Sequence, residues 1–302
     1  MRRAQCTGRT WAAVAGAALA GVLACAQAPA RPPQEKTAPA RRAAGKDAKM
    51  SPQEVADRVR KADWTVIDVP EQVGPDAGPP VARLLENPDS QVRELAVKTL
   101  HLAGGAPARD GLLRALHDKS QMVRAAAVNL LPQHVTADDL PALETEVTAN
   151  PDEYVREHVA LIVGRLSQPG SVTALRRQFA LEQDVHARRA EAMALARLGD
   201  SIGRDAIVAR LHGTDPQERA AALSDLVYVN DRGLLREAAA LLDDQRDAVN
   251  VGPSHGPYYI RVCDVAVNTI DALLGHAFGF TAYDRRYSAE QIAQARAAAV
   301  PQ

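Results

Sequence analysis

The histidines and one cysteine are the residues of this chain that are best suited to metal or nucleophilic chemistry. Eight histidines are spread over 302 residues, and none stands in a His-Glu-x-x-His arrangement. The spacing of His255, Cys263, Asp264 and His276 matches no zinc signature. Cys263 lies among apolar residues, which indicates a buried thiol. Because nucleotide-binding and serine-hydrolase motifs are also missing, the sequence predicts no catalytic residue, no metal site and no cofactor.

A second group of residues lies near the carboxy terminus and could bind a ligand. Arg261 and Asp264 are one helical turn apart, so we expect them to pair. Tyr258 and Tyr259 are two of only six tyrosines, and they follow the turn-forming residues 253–257. Long loops among short turns are often functional. These four side chains are therefore a predicted binding site, and the alternative is that the loop only caps the end of a stack.

The elements that would position these residues follow from internal repetition. Five anchor positions, each followed by arginine, recur in steps of 31 or 32 residues: Val92, Val123, Val155, Ala187 and Glu218. An independent ladder with the same period comprises Leu85, Leu116, Val147, Phe179, Leu211 and Leu242. The apolar residues that follow most anchors lie on one face of a helix. Two ladders with one period predict a tandem array of helix pairs.

Each anchor is preceded, three positions earlier, by a residue that can cap a helix. These residues are Asp89, Ser120, Asp152, Asp184 and Asp215. Their oxygens accept hydrogen bonds from free N–H groups at a helix start, where negative charge is also favoured. A single helix pair cannot bury its apolar face, whereas stacked pairs can. The sequence therefore predicts an all-α fold, an α-solenoid.

The Asp-x-x-Val-Arg-x-x-Ala pattern, with a period of about 31 residues, resembles the short bacterial HEAT repeats, including those of phycobilisome-lyase-like proteins. Residues 190–200 are similar to that consensus, and the resemblance covers residues 79–275. It implies a right-handed superhelix of about six helix pairs. It also implies a hydrogen-bonded structural ladder of aspartates and arginines. The residues of this ladder are Asp89, Arg93, Arg124, Asp152, Arg156, Asp184, Arg188, Asp215 and Arg219.

The repeat pattern is broken in its later units. Glu191 occupies a position where the register requires a small apolar residue, and Glu218 replaces an apolar anchor. These departures predict looser packing or a face that is used for binding. The last unit contains a long Gly/Pro-rich loop at 245–259, before the anchor Val262.

The amino terminus has the features of an export signal. Arg2 and Arg3 precede an apolar stretch at 11–23, which is too short to span a bilayer comfortably. Residues 22–25 resemble a lipoprotein signal, so 1–24 is the predicted signal peptide and Cys25 the lipidation site. The alternatives are cleavage beyond Cys25, which leaves a soluble secreted or periplasmic protein, and a retained membrane anchor.

Segments of different composition flank the predicted repeats. Residues 25–50 are rich in Pro, Ala and basic side chains, and we expect a disordered tether there. Residues 51–78 should form an amino-terminal cap. Residues 276–302 should form a carboxy-terminal cap and a helix opened by Ser288 and Gln291.

Charge and architecture together narrow the function. The formal net charge is −1, which does not favour binding to nucleic acid. Solenoids present long concave faces, and here Lys98 and Asn129 are predicted to lie on such a face. We expect a non-catalytic scaffold or adaptor of the bacterial cell envelope that binds a protein or peptide. The alternatives are a receptor for a small ligand or cell-wall polymer at the carboxy-terminal loop and, less favoured, an enzyme or chromophore lyase. The oligomeric state stays open.

Overall fold

The computed structural model describes residues 49–252 and 258–299. The predicted signal peptide 1–24, Cys25, almost all of the tether and the loop tip 253–257 lie outside the described residues. The chain forms two compact units. The amino-terminal unit takes in described residues up to 210 together with 225–233, and the carboxy-terminal unit takes in 211–224 and the described residues from 234 onward.

Helix pairs make up the amino-terminal unit. A first helix, α1 (Pro52–Arg60), and three short 3-10 turns cover its start. The helices that follow are α2 (Gly78–Ala82), α3 (Ser90–Ala103), α4 (Gly105–Ala115), α5 (Gln121–Leu130), α6 (Leu140–Ala149), α7 (Glu153–Leu166), α8 (Val172–Leu181) and α9 (Val185–Arg197). Two more helices, α10 (Ser201–Leu211) and α11 (Pro216–Val229), have residues in both units.

The helices of the amino-terminal unit lie in two layers. The second helices of successive pairs, α3, α5, α7 and α9, pack side by side in that order. First helices pack likewise, α2 on α4 and α6 on α8. Leucines at the predicted apolar positions, such as Leu95, Leu131 and Leu195, are completely buried. Buried side chains of neighbouring pairs thus pack together between the layers, as expected for stacked repeats.

The carboxy-terminal unit contains α12 (Leu235–Ala240), β1 (Asp247–Asn250), β2 (Tyr259–Arg261), α13 (Val262–Leu273) and α14 (Ala289–Ala299). The two strands form an antiparallel pair within the segment predicted to be a loop, which corrects that prediction. Ala248 and Ile260 are buried, one on each strand. Because the ladder pairs backbone groups of 247–250 with those of 259–261, this segment has hydrogen bonds that a loop would lack.

The predicted α-solenoid of HEAT-like helix pairs is confirmed. Six pairs are found among the described residues, from α2 and α3 to α12 and α13, and the small sheet is a local exception to the all-α class. Throughout 49–252 and 258–299, no helix is both long and apolar enough to cross a membrane.

A substitution at Gly164 would test how closely α7 and α9 approach each other. A Cβ atom added there would lie 2.8 Å from Ala194 Cα and 2.3 Å from Tyr228 Oη. We expect Gly164→Ala to reduce the free energy of unfolding by about 1–3 kcal/mol, because overpacking forces the backbone or the tyrosine to move. Urea denaturation measures this. Gly170→Ala is the control, since a Cβ atom there meets nothing within 4 Å. Equal stability of the two variants would contradict the close approach.

Candidate functional site

Buried ion pairs join the turns of consecutive repeats. Arg93 Nη1 donates to the carbonyl of Asn87 at 2.8 Å, while Nε and Nη2 donate to the Asp118 carboxylate at 2.7 and 2.8 Å. Arg156 makes the same contacts one period later, with the Asn150 carbonyl at 2.9 Å and the Glu182 carboxylate at 2.7 and 3.0 Å. Each guanidinium therefore ties its own turn to the turn of the next repeat.

Two further arginines follow this pattern. Arg124 donates to the Asp118 carbonyl at 2.7 Å and to the Asp152 carboxylate. In the carboxy-terminal unit, Arg219 donates to the Gly213 carbonyl and, at 2.8 Å, to the Asp244 carboxylate. Hydrogen bonds from Arg246 and Arg219 hold the pKa of Asp244 well below its usual value. Hydrogen bonds from Arg156 lower the pKa of Glu182 to about 2.

The acidic partners differ from those that the resemblance implied. Asp89, Asp184 and Asp215 act as helix caps, accepting hydrogen bonds from the backbone N–H of Gln91, His186 and Gln217, respectively, at 2.8–2.9 Å. Their oxygens point into the helix start, so the arginine of the preceding repeat reaches another residue.

That other residue usually lies two positions before the cap, as Asp118 and Glu182 do, and its carboxylate also accepts a backbone N–H of its own turn. In the third pair, position 150 is asparagine, and the cap Asp152 takes the arginine instead. Asp118, Glu182 and Asp244 were missed, although acidic residues in register before the caps were a signal for them.

Arg188 is the exception in the arginine series. Its guanidinium donates to the carbonyls of Phe179 and Glu182 and lies 4.2 Å from the centre of the Phe179 ring. Positions 213 and 214, where the period would place an acidic partner, are glycine and threonine. Arg188 is therefore exposed at the turn of the fourth pair.

Glu191, on the same helix, is completely buried, and neither carboxylate oxygen has a hydrogen-bond partner. Burial, with the negative charge of Glu182 as a second cause, raises the pKa of Glu191 to about 8. At neutral pH the carboxyl is therefore mostly protonated. The sequence identified this position as anomalous and predicted looser packing or a face used for binding, and the structure places the Glu191 side chain in the interior.

The second-helix face, meaning the outward side chains of α3, α5, α7 and α9, carries Lys98 and Asn129. Lys98 Nζ lies 2.8 Å from Glu94 and 4.8 Å from the centre of the Trp64 ring. Asn129 is exposed on the adjacent helix. The ion pair with Glu94 and the contact with the Trp64 ring hold the Lys98 side chain in one orientation.

A buried carboxylate that sequence reasoning missed lies in the amino-terminal unit. Asp225 is 1% exposed and accepts hydrogen bonds from Arg189 Nε, at 2.9 Å, and from Arg210. The two guanidinium groups offset the free-energy cost of removing the Asp225 carboxylate from water. The only signal for it was an acid within an otherwise apolar helical stripe.

The predicted carboxy-terminal group separates into two parts. Arg261 and Asp264 do pair, at 2.7 Å, and Asp264 also accepts the backbone N–H groups of Arg261 and Tyr287. Because Asp264 is completely buried and its oxygens are occupied, this pair connects α13 to the chain before α14.

Tyr258 and Tyr259 are 44% and 39% exposed, respectively. Arg286 donates to the Tyr259 carbonyl at 2.7 Å, and its guanidinium lies 6.0 Å from the centre of the Tyr258 ring. A groove of about 320 Å³ lies between the start of α14 and residues 242–245. Arg261 lines this groove, whereas Tyr258 and Tyr259 do not.

Cys263 has a buried thiol, and burial raises its pKa to about 11. A thiol with this pKa is almost entirely protonated at neutral pH, so it is a poor nucleophile. Within the described parts of the chain, no three His, Cys, Asp or Glu side chains are grouped so as to hold a metal ion.

Arg156→Ala should reduce the free energy of unfolding by about 3 kcal/mol, because it leaves Glu182 buried without its counter-charge. Glu182 is only 3% exposed in its pair with Arg156. Urea denaturation at pH 7 measures the loss, and Arg177→Ala, an exposed arginine on α8, is the control. A loss no larger than that of the control would remove the structural role assigned to the ladder.

Glu191 makes stability depend on pH. The pKa of Glu191 is about 8 in the folded protein, against an ordinary value of 4.5. The contribution of this carboxyl to the free energy of unfolding is therefore fully present below pH 4.5 and is lost as the pH rises towards 8. From pH 4.5 to 7 the loss is about 3 kcal/mol. Glu191→Gln removes this dependence, and the difference in unfolding free energy between the two proteins should widen with pH. Parallel stability curves would contradict the burial of an ionisable carboxyl.

Comparisons with known proteins agree with the repeat fold. No protein-family model and no curated protein matches the chain. Similar solved structures include YibA of Escherichia coli, with 17% identity, a TM-score of 0.50 and coverage of 83% of this chain and 92% of that one. The complex of CpcE and CpcF of phycocyanin lyase from Nostoc sp. PCC7120 has 18% identity, a TM-score of 0.46 and coverage of 89% and 100%. Human deoxyhypusine hydroxylase in complex with glycerol has 16% identity, a TM-score of 0.33 and coverage of 82% and 94%. These are HEAT-like helical repeat proteins. At 17% identity, the likeness to YibA shows only that this chain has the same fold.

Proposed function

We propose that the protein is a non-catalytic scaffold or adaptor of the bacterial cell envelope, which binds a protein or peptide on its second-helix face. The supporting observation is that four second helices stack without interruption in the amino-terminal unit. Three spacings of about 9 Å give a width of about 27 Å. Helices of 14 residues, such as α3 and α7, are about 20 Å long. This area is of the same order as the ~800 Å² that each partner buries in a standard interface.

The chemistry of the face suits a protein partner. Lys98, Glu94, Glu157 and Asn129 place both signs of charge and an amide on it, without the continuous basic stripe that a polyanion requires. Since Lys98 is already held by Glu94 and Trp64, little side-chain entropy is lost when a partner docks.

Exposed apolar side chains at the starts of second helices add to this surface. Met122 on α5 and Val185 on α9 are 64% and 71% exposed, respectively. Large apolar side chains with this exposure contribute to binding when a partner covers them.

Export and anchoring complete the proposal. We infer that residues 1–24 direct export, that Cys25 carries the lipid, and that 25–50 link this anchor to the repeats facing the periplasm. The repeats themselves are proposed to belong to the short bacterial HEAT type. A soluble secreted form remains the alternative for localisation.

A receptor for a small ligand or a cell-wall polymer is the second candidate function. The groove beside α14 supports it, since its volume of about 320 Å³ is at the lower end for ligand sites. Arg261, Arg296 and Gln245 supply polar contacts at this groove. An enzyme or chromophore lyase is not favoured, because the similarity to the phycocyanin lyase complex, at a TM-score of 0.46, carries no argument for activity.

Affinity purification after crosslinking in envelope membranes tests the proposal. A protein should co-purify in stoichiometric amount with the wild type and be lost with Lys98→Glu/Asn129→Arg. The control is Arg177→Glu, which changes charge on the exposed side of a first helix. If the double variant retained the partner, the second-helix face would be excluded as the binding surface.

Ligand screening of the same purified protein distinguishes the second candidate. The second candidate predicts a ligand that raises Tm in the wild type but not in Arg296→Ala. That result, together with the absence of a co-purifying protein, would identify the groove as the binding site.

A further inference from the structure

Two histidines face each other across the first two repeats. His101 Nδ1 and His134 Nε2 are 2.8 Å apart, and the rings stand edge to face at 86°. His101 lies in the last turn of α3, and His134 ends the 3-10 turn that continues α5. The period of the sequence did not reveal this pair.

The rings are in the state that metal ions require. Burial lowers the pKa of both histidines, and the charge of His101 lowers that of His134 further. Burial thus favours the neutral imidazole, and a neutral imidazole has one nitrogen with a free electron pair. The hydrogen that lies between them belongs to one ring and can move to the other nitrogen of that ring, so both facing nitrogens can become ligands with no net loss of a proton.

The distance between the nitrogens sets the geometry of a shared ion. With metal–nitrogen bonds of about 2.05 Å, a separation of 2.8 Å corresponds to an N–metal–N angle of about 86°. This is the cis angle of square-planar or octahedral ions, whereas a tetrahedral ion would need about 3.3 Å. In the hydrogen-bonded pair the facing nitrogens point at each other, so ion binding requires both rings to rotate about their Cβ–Cγ bonds until both electron pairs point at the ion. Water would complete the coordination.

The backbone around the pair also favours a cation. Both histidines lie at the carboxy-terminal ends of helices, where unpaired carbonyl groups give a negative potential. Desolvation, and not a nearby lysine or arginine, is the leading cause of both lowered pKa values.

We propose that His101 and His134 form a two-histidine site for a divalent transition metal of tetragonal preference, such as Cu²⁺ or Ni²⁺, which joins the first and second repeats. Such ions favour nitrogen ligands in square-planar or octahedral arrangements. The bound ion connects α3 to the turn after α5. Because it binds the folded protein, it raises the free energy of unfolding by an amount that grows with the logarithm of its free concentration above the dissociation constant.

Calorimetric titration of the untagged, metal-free protein with CuCl₂, NiCl₂ and ZnCl₂ tests the site. We expect saturable binding of Cu²⁺ and Ni²⁺ with an accompanying rise in Tm, and weaker binding of Zn²⁺. His101→Phe and His134→Phe should each bind about tenfold or more weakly. His117→Phe and His212→Phe are the controls, because these histidines are exposed and pair with Glu146 and Glu237, respectively. Unchanged affinity in the first two variants would overturn the proposal.

A second measurement on the wild type does not depend on how the variants fold. Diethyl pyrocarbonate modifies accessible histidines, and peptide mass spectrometry locates the products. Saturating Ni²⁺ should protect His101 and His134 and leave the rates at His117 and His212 unchanged. Equal rates at His101 and His134 with and without Ni²⁺ would overturn the site.

Discussion

A guanidinium that reaches both its own turn and the next holds consecutive repeats in register. For Arg93, Arg124 and Arg156, the carbonyl six residues earlier orients the side chain, and the carboxylate of the following turn neutralises its charge. Arg93 and Glu182 are almost completely buried, so neither tolerates the loss of its partner. The stacking of α3, α5, α7 and α9 places these turns at the same edge of the unit. The core between the layers and the outward second-helix face both depend on that register.

The fourth pair departs from this arrangement in two ways. Arg188 is not paired with the acidic side chain that the period would supply and stacks on Phe179 instead. On the next turn of the same helix, Glu191 is buried among apolar side chains without a hydrogen bond. A carboxyl in such a place is tolerated because it binds a proton at neutral pH. The stability that Glu191 contributes at this pair therefore falls as the pH rises from 4.5 towards 8, whereas the carboxylates of the ladder stabilise the unit in their ionised form.

The chemistry of the carboxy-terminal segment is mainly structural. Asp264 is surrounded by donors from Arg261 and from the chain before α14, and Cys263 beside it is an unreactive thiol. The two proposed functions use other surfaces, the second-helix face and the groove beside α14. The proposed ion site at His101 and His134 would join two repeats of the amino-terminal unit.

The sequence by itself determined the helix pairs, their period, the helix caps and the fold class, because an apolar stripe and a capping side chain act within one repeat. It also predicted that Arg261 and Asp264 pair, since they are neighbours on one helical turn. It did not identify Asp118, Glu182 or Asp244 as arginine partners, nor the meeting of His101 with His134. Those contacts join side chains 25 to 33 residues apart, and only the packing of one repeat on the next decides which of them touch. The small antiparallel sheet likewise depends on pairing between separate segments, so tertiary structure alone decided it.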